Sequence, residues 1–133
     1  MKRRIAIVGA GVAGLSAARH LASAQADISL FDKGRAPGGR ATTRRGLTFT
    51  FDHGAQYFTV RDARFKSLVN DLQRDGIVRP WTPRLKIFGD HTPRDEGPVK
   101  RWIGVPGMSA LGQALAFGLE VRTECRVTEI KQA

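Results

Sequence analysis

Three glycines near the amino terminus have the spacing of a turn that binds phosphate groups. Gly9, Gly11 and Gly14 follow the apolar run 5–8. In such a turn the first glycine permits a tight exit from a strand, the second lets the backbone approach a pyrophosphate, and the third lets the next helix pack closely. The phosphates then lie at the helix amino terminus, where free N–H groups favour negative charge. Because the motif alone is weak evidence, its surroundings decide the interpretation.

The surrounding sequence predicts a strand–helix–strand unit. Residues 3–8 are predicted to form a buried parallel strand, 12–24 a helix and 27–31 a second strand, which together match the roughly 30 residues of such a unit. Asp32 ends the second strand, roughly 20 residues beyond the glycines, where an acid is expected. A carboxylate there accepts hydrogen bonds from ribose hydroxyls and repels a 2′-phosphate. The alternative is a solvated aspartate at a strand end.

A second glycine loop follows, read as Gly38-Gly39-Arg40. Consecutive glycines and an arginine bring backbone amides and a guanidinium to a phosphate. Together with Asp32 and Thr43, this loop resembles the second motif of the GG-doublet FAD-dependent oxidoreductases: an acid, five residues, Gly-Gly-Arg, two residues, then Ser or Thr. The chain has Asp where that family usually has Glu. The resemblance implies FAD, rather than NAD, at this site.

The stretch Asp52-His53-Gly54-Ala55-Gln56-Tyr57 narrows the resemblance to the renalase-like, amine-oxidase-like branch. That branch implies flavin contacts by Ala13, Arg40, Gln56 and Tyr57, and GG-doublet relatives imply an adenine contact through the Val127 backbone. For His53 a structural role, bonded to nearby backbone, is favoured over a catalytic one. The predicted cofactor-binding residues are Gly9, Gly11, Val12, Ala13, Gly14, Asp32, Lys33, Gly38, Gly39, Arg40, Thr43, Gln56, Tyr57 and Val127.

The predicted fold class is α/β, a Rossmann-like FAD/NAD(P)-binding domain of the GG-doublet flavoprotein type with the beginning of a mixed-sheet substrate domain. Residues 1–133 are assigned to the FAD-binding domain, and 77–104 to the start of the substrate-domain insertion. Since family members extend further, the resemblance implies the amino-terminal portion of a longer fold. Two more helices are predicted: 62–74, with Asp62 as cap and Gly76 as stop, and 109–117, with Ser109 as cap. The other predicted strands are 46–51, with Leu47, Phe49 and Phe51 on a buried face, and 77–81, 84–88, 100–103, 119–122 and 126–130.

The composition describes a soluble globular chain. Hydrophobic residues make up 41% and charged residues 26%, which is ordinary for such proteins. The net charge of +10 is spread along the chain, so a general compositional bias towards arginine explains it better than a nucleic acid, an anionic membrane surface or a small anionic ligand does. No apolar run approaches the roughly 20 residues that span a bilayer. The single cysteine excludes an internal disulfide, and we expect a cytoplasmic protein without a metal.

The expected function follows from the resemblance: an FAD-dependent oxidoreductase in which hydride moves from an amine or a reduced nicotinamide to the flavin, and oxygen reoxidises it. No catalytic residue is assigned, since flavin chemistry resides in the cofactor. One alternative is a truncated, non-catalytic module that binds FAD or another dinucleotide. An NAD-dependent dehydrogenase explains the first glycine motif and leaves the second without a role.

Overall fold

The computed structural model describes residues 2–22, 24, 26–83 and 99–132. Its helices are α1 (Val12–Ala22), α2 (Ala63–Arg74) and α3 (Ser109–Ala116). Its strands are β1 (Arg4–Val8), β2 (Asp27–Phe31), β3 (Thr43–Arg45), β4 (Thr50–Asp52), β5 (Phe58–Thr59), β6 (Val78–Trp81), β7 (Arg101–Gly104) and β8 (Glu120–Arg122).

The first sheet has the parallel order β1-β2-β8. Ile5 of β1 pairs with Ile28 of β2, and Leu30 of β2 pairs with Val121 of β8. Helix α1 connects β1 to β2, so the predicted strand–helix–strand unit is confirmed. The predicted burial of its first strand is wrong, because among the described residues β1 lies at the edge of this sheet and its residues are exposed or half-buried. Leu30 is fully buried in the hydrophobic core that this sheet shares with α1 and α3. Parallel neighbours of this kind bring the carboxyl ends of their strands to one edge of the sheet, where ligands of open α/β sheets bind.

The strand predicted over 46–51 is wrong in extent and burial. β3 and β4 form an antiparallel hairpin in which Arg45 pairs with Thr50. The residues between them turn, and Gly46 N–H donates to the Phe49 carbonyl at 2.8 Å. Because the predicted alternation runs through this turn, Leu47, Phe49 and Phe51 do not share a buried face, and all three are exposed.

A third sheet, antiparallel, has the order β5-β7-β6. The strands predicted over 77–81 and 100–103 are confirmed as β6 and β7, in which Val78 pairs with Gly104. Trp102 of β7 is buried in the core. The strand predicted over 84–88 lies outside the described residues. The assignment of 77–104 to a substrate-domain insertion stays a prediction.

Helix α2 begins and ends as predicted. Asp62 is its N-cap and accepts hydrogen bonds from the backbone N–H groups of Arg64 and Phe65. Gly76, just beyond its end, has a φ of 73°, a conformation that favours glycine. Val69 and Leu72 are buried on the face that packs against the core.

The cap of α2 makes stability dependent on pH. Hydrogen bonds from the Arg64 side chain, and then from the Arg64 and Phe65 backbone, lower the pKa of Asp62 from 3.8 to about 2. A carboxyl with a lowered folded-state pKa stabilises fully above its unfolded pKa, and this contribution disappears as pH falls through the folded value. The unfolding free energy of wild type minus that of Asp62→Asn is therefore expected to be constant above pH 5 and to shrink between pH 4 and pH 2. Urea unfolding followed by circular dichroism measures it; a gap that stays constant down to pH 2 contradicts the assignment.

Two predictions near the carboxyl end are corrected. Ser109 does not cap α3: the cap residue is Met108, without a side-chain cap bond, because side chains from β3 and β4 accept the first N–H groups instead. Residues 126–130 are not a strand, because they have no strand neighbour among the described residues, and Ile130 is exposed. None of the helices in the described part of the chain has the length and apolar character needed to span a membrane.

Candidate functional site

A cleft of about 1320 Å³ opens at the carboxyl ends of β1 and β2. It is bounded by the two glycine loops, the start of α1, the β3–β4 hairpin and the segment after β8. The structure brings together most of the predicted cofactor-binding residues here. Those that line the cleft are Gly9, Gly11, Val12, Ala13, Asp32, Lys33, Gly38, Gly39, Arg40, Thr43 and Val127.

The turn after β1 places α1 directly against that strand. A Cβ added to Gly14 would overlap the carbonyl oxygen of Gly9 and lie 3.4 Å from Cγ2 of Ile7. Gly14 therefore does not line the cleft, and its role is the close helix packing expected from the sequence. Gly11, Val12 and Ala13, at the start of α1, line the cleft, and the free N–H groups of a helix amino terminus favour an anion.

The two glycine loops touch each other. Gly38 N–H donates to the Ala10 carbonyl at 2.8 Å. A Cβ added to Gly39 would lie 3.0 Å from the Gly11 Cα. Gly38 and Gly39 have φ values of 119° and 57°, which favour glycine. Residues far apart in the chain thus form one continuous backbone surface in the cleft.

Asp32 holds the first glycine turn in place. Its Oδ2 accepts a hydrogen bond from Ala10 N–H at 2.6 Å, and its Oδ1 accepts one from Gly34 N–H at 2.7 Å. Since each carboxylate oxygen has a second acceptor site, both remain able to accept from a ribose. The structure therefore gives Asp32 a second role, fixing the turn, that the sequence analysis did not assign.

The cleft is rich in positive charge. Asp32 is its one acidic side chain among the described residues, whereas the basic lining residues are Lys33, Arg35, Arg40, Arg44 and Arg126. An excess of cations in a concave site attracts anionic ligands. Lys33 and Arg40 were predicted from the sequence, whereas Arg35, Arg44 and Arg126 were not. Their only signal was closeness in sequence to a predicted site residue.

Thr43 lines the cleft, but its hydroxyl is used within the protein. It donates to Asp52 Oδ1 at 2.6 Å and accepts from Ser109 N–H at 3.0 Å. Asp52 Oδ1 also accepts from Met108 N–H at 2.9 Å. The two side chains therefore join the β3–β4 hairpin to the start of α3.

Gln56 and Tyr57 lie away from this cleft. Gln56 lines a second cavity of about 400 Å³ together with Asp52, Arg79 and Trp81. The Tyr57 ring packs against Trp81, with 5.8 Å between ring centroids, and under the guanidinium of Arg101. Their contact with a flavin stays a prediction.

His53 lies on the hairpin wall of the cleft. Its Nε2 is 3.4 Å from the Thr42 hydroxyl, and its ring meets Phe51 edge-on, 6.3 Å between centroids. These contacts agree with a structural role, although the polar partner is a side chain and not the predicted backbone group.

The segment after β8 completes the wall near Asp32. Cys125 N–H donates to the Asp32 carbonyl, and Glu124 N–H donates to the Gly34 carbonyl, both at 2.8 Å. These bonds hold the segment beside Asp32, and its next two residues, Arg126 and Val127, line the cleft. Val127 is 36% exposed, so its neighbourhood is open to a ligand, as an adenine contact requires.

The comparison with known families assigns the fold. Residues 7–72 match the family of NAD(P)-binding Rossmann-like domains. These residues contain β1, α1 and β2, both glycine loops, and Asp32. The predicted α/β, Rossmann-like fold is therefore confirmed.

Carotenoid desaturases are among the relatives that share sequence with this chain. Carotenoid 3,4-desaturase from Haloarcula japonica is 43% identical over 87 residues, 63% of this chain and 18% of the relative. The zeta-carotene-forming phytoene desaturase from Myxococcus xanthus is 48% identical over 52 residues, 39% of this chain and 10% of the relative. The chain thus spans less than a fifth of either relative.

Among solved structures, a putrescine oxidase with redesigned cofactor binding is 25% identical and aligns with a TM-score of 0.47, covering 71% of this chain and 23% of that chain.

Proposed function

We propose that the cleft binds FAD and that this chain provides the FAD-binding part of a flavin-dependent oxidoreductase. The observation that carries the proposal is the contact between the two glycine loops, through the Gly38–Ala10 hydrogen bond and the close approach of Gly39 to Gly11. An NAD site needs only the first loop. A site built from both has backbone and guanidinium groups on two sides of a pyrophosphate.

The residues present fit this cofactor. A Cβ on Gly39 would be in tight contact with the Gly11 Cα, at 3.0 Å, and the two glycines leave a surface of bare backbone that a pyrophosphate is able to approach. The N–H groups at the start of α1 and the Arg40 guanidinium would hold the two phosphate charges. Asp32 would accept from the adenosine ribose, and the Val127 backbone would meet the adenine.

When bound, the flavin supplies the redox chemistry by accepting a hydride from the substrate. The chain's own contribution is binding and orientation. Asp32 fixes both the turn and the ribose position, because its two oxygens already bond Ala10 and Gly34. Arg40 neutralises phosphate charge. The proposed flavin contacts of Gln56 and Tyr57 rest on the family resemblance alone, since neither residue lines the cleft.

The proposed substrate is a small molecule, an amine or a reduced nicotinamide, with oxygen as the electron acceptor and the cytoplasm as the location. This rests on the resemblance of residues 52–57 to the renalase-like branch. Because one relative is a carotenoid desaturase, an apolar substrate is a further outcome that the test distinguishes. The activity belongs to the whole protein, and the second candidate for this chain is binding of a dinucleotide without turnover.

An absorption spectrum of the purified, desalted chain tests the proposal first. If flavin is bound, absorption bands at about 370 and 450 nm are expected, together with flavin fluorescence after acid release. If the chain is colourless, titration calorimetry with FAD and with NAD in separate experiments decides between them. Tighter binding of NAD than of FAD overturns the proposal. With flavin bound, anaerobic addition of putrescine, NADH or a carotenoid shows which one bleaches the 450 nm band.

Arg40→Ala is expected to weaken FAD binding about tenfold or more, because one charge-assisted hydrogen bond to a phosphate is lost. Arg45→Ala is the matched control, since Arg45 lies on the neighbouring strand β3, is exposed and does not line the cleft. Calorimetric titration of both variants with FAD measures the effect. Equal affinities of the two variants would remove Arg40 from the phosphate site.

A further inference from the structure

The Gly38–Gly39 loop lies between two supports. On one side it is bonded to the first glycine turn through Ala10. On the other side it lies against helix α3, where a Cβ added to Gly112 would overlap the Gly38 Cα and lie 2.9 Å from the Gly38 nitrogen and the Pro37 carbonyl oxygen. Helix α3 is thus the back wall of the loop.

A single carboxylate oxygen fixes where α3 begins. Asp52 Oδ1 accepts from the Thr43 hydroxyl and from Met108 N–H. Thr43 in turn accepts from Ser109 N–H. A Cβ on Gly107 would lie 2.6 Å from the Thr43 hydroxyl oxygen, so the start of the helix is in close contact with the hairpin. Gly112 is three residues after Ser109, about one turn along α3.

We propose that Asp52 and Gly112 are positioning residues for the Gly38–Gly39 loop, and through it for Arg40. The part of this inference that concerns cofactor affinity rests on the proposed FAD function. Asp52 and Thr43 set the position of α3, and Gly112 transmits it to the loop. Both glycines of the loop have positive φ, and because glycine has more accessible backbone conformations than other residues, the loop keeps one conformation only where its surroundings hold it.

The consequence for the cleft is geometric. Small displacements of groups that contact a ligand are costly in affinity and rate. An added methyl at residue 112 must push the loop towards the Gly9–Gly11 turn or push α3 away from it. Removal of the Asp52 carboxylate leaves the Thr43 hydroxyl and Met108 N–H without their acceptor and frees the start of α3.

The test compares Asp52→Ala, Asp52→Asn and Gly112→Ala with wild type. Asp52→Asn is the conservative variant, because its amide oxygen has two acceptor sites for the same two donors. Two further controls act on the same helix without touching the loop: Gln113→Ala, at an exposed position, and Leu115→Val, which destabilises the core at a fully buried one.

The first readout is amide hydrogen exchange at Gly38 and Ala41, whose N–H groups donate to the Ala10 and Gly38 carbonyls. Asp52→Ala and Gly112→Ala are expected to speed exchange there about tenfold, with less than about twofold change at Gly9. The second readout is FAD affinity, which is expected to fall about tenfold in both variants and to stay within about threefold of wild type in Asp52→Asn, Gln113→Ala and Leu115→Val.

Unchanged exchange at Gly38 and Ala41 in both Asp52→Ala and Gly112→Ala overturns the inference. So does a loss of FAD affinity in Leu115→Val as large as in Asp52→Ala, because general destabilisation would then explain the effect. If wild type binds no FAD, the proposed function fails, and the exchange rates still decide whether these residues position the loop.

Discussion

Asp32→Ala is expected to lower both the stability of the fold and its affinity for FAD. The Asp32 carboxylate accepts from Ala10 N–H and Gly34 N–H, at 2.6 and 2.7 Å, in a half-buried setting. Loss of the acceptor leaves two backbone donors without their partner, which costs about 1–3 kcal/mol of unfolding free energy. The ribose contact disappears in addition, so the FAD dissociation constant should rise roughly tenfold to a hundredfold.

Two matched variants separate the two effects. Asp27→Ala removes an exposed carboxylate at the opposite end of strand β2 and should change neither property. Asp32→Asn keeps one acceptor oxygen and should fall between wild type and alanine in both. Urea unfolding at several FAD concentrations measures stability and affinity together. Unchanged stability of Asp32→Ala without FAD would show that the two backbone bonds contribute nothing to the turn.

The parts of the site that the sequence predicted are those built by neighbours in the chain. The spacing of Gly9, Gly11 and Gly14 after an apolar run requires only that one strand lead into one helix. Asp32 needs only the next strand to be parallel and adjacent, which the connection through α1 favours. These local rules were sufficient for β1, α1 and β2 and for one side of the cleft, whereas the pairing of β8 with β2 was not predicted.

The support behind the second glycine loop was not predicted because it joins distant segments. Met108 is 56 residues from Asp52, and Ser109 is 66 residues from Thr43. Nothing in the sequence near Gly112 indicates that it packs on Gly38. The resemblance instead placed Thr43 among the cofactor contacts, whereas its hydroxyl is bonded to Asp52 and Ser109.

The two wrong strands have a common cause. Alternation over 46–51 and β-branched residues over 126–130 favour extended chain, but a strand also needs a partner with free backbone groups. In the first case the chain turns after Gly46, so that Thr50–Asp52 pairs with the preceding strand Thr43–Arg45. Within 46–51 only residues 50 and 51 therefore lie in a strand. In the second, no neighbour is present among the described residues, and the extended segment instead forms the rim of the cleft.

Gly14→Val is expected to have the largest effect on folding. Its Cβ would overlap the Gly9 carbonyl oxygen, which belongs to the backbone and has no rotamer by which to move away. Relief requires α1 to shift from β1, yet Leu15 and Ala18 of the same helix are fully buried in the core. Overpacking against side chains costs about 1–3 kcal/mol, and a clash with fixed backbone in this position should exceed that.

Ala17→Val is the control for this substitution, because residue 17 lies on the exposed side of α1 and valine there costs only its lower helix propensity, about 0.5 kcal/mol. Urea unfolding of both variants gives the difference in free energy. If the unfolding free energy of Gly14→Val lies within about 1 kcal/mol of that of Ala17→Val, α1 is able to move away from β1. The helix amino terminus would then not be fixed at the phosphate position, and its contribution to anion binding in the cleft would be lost.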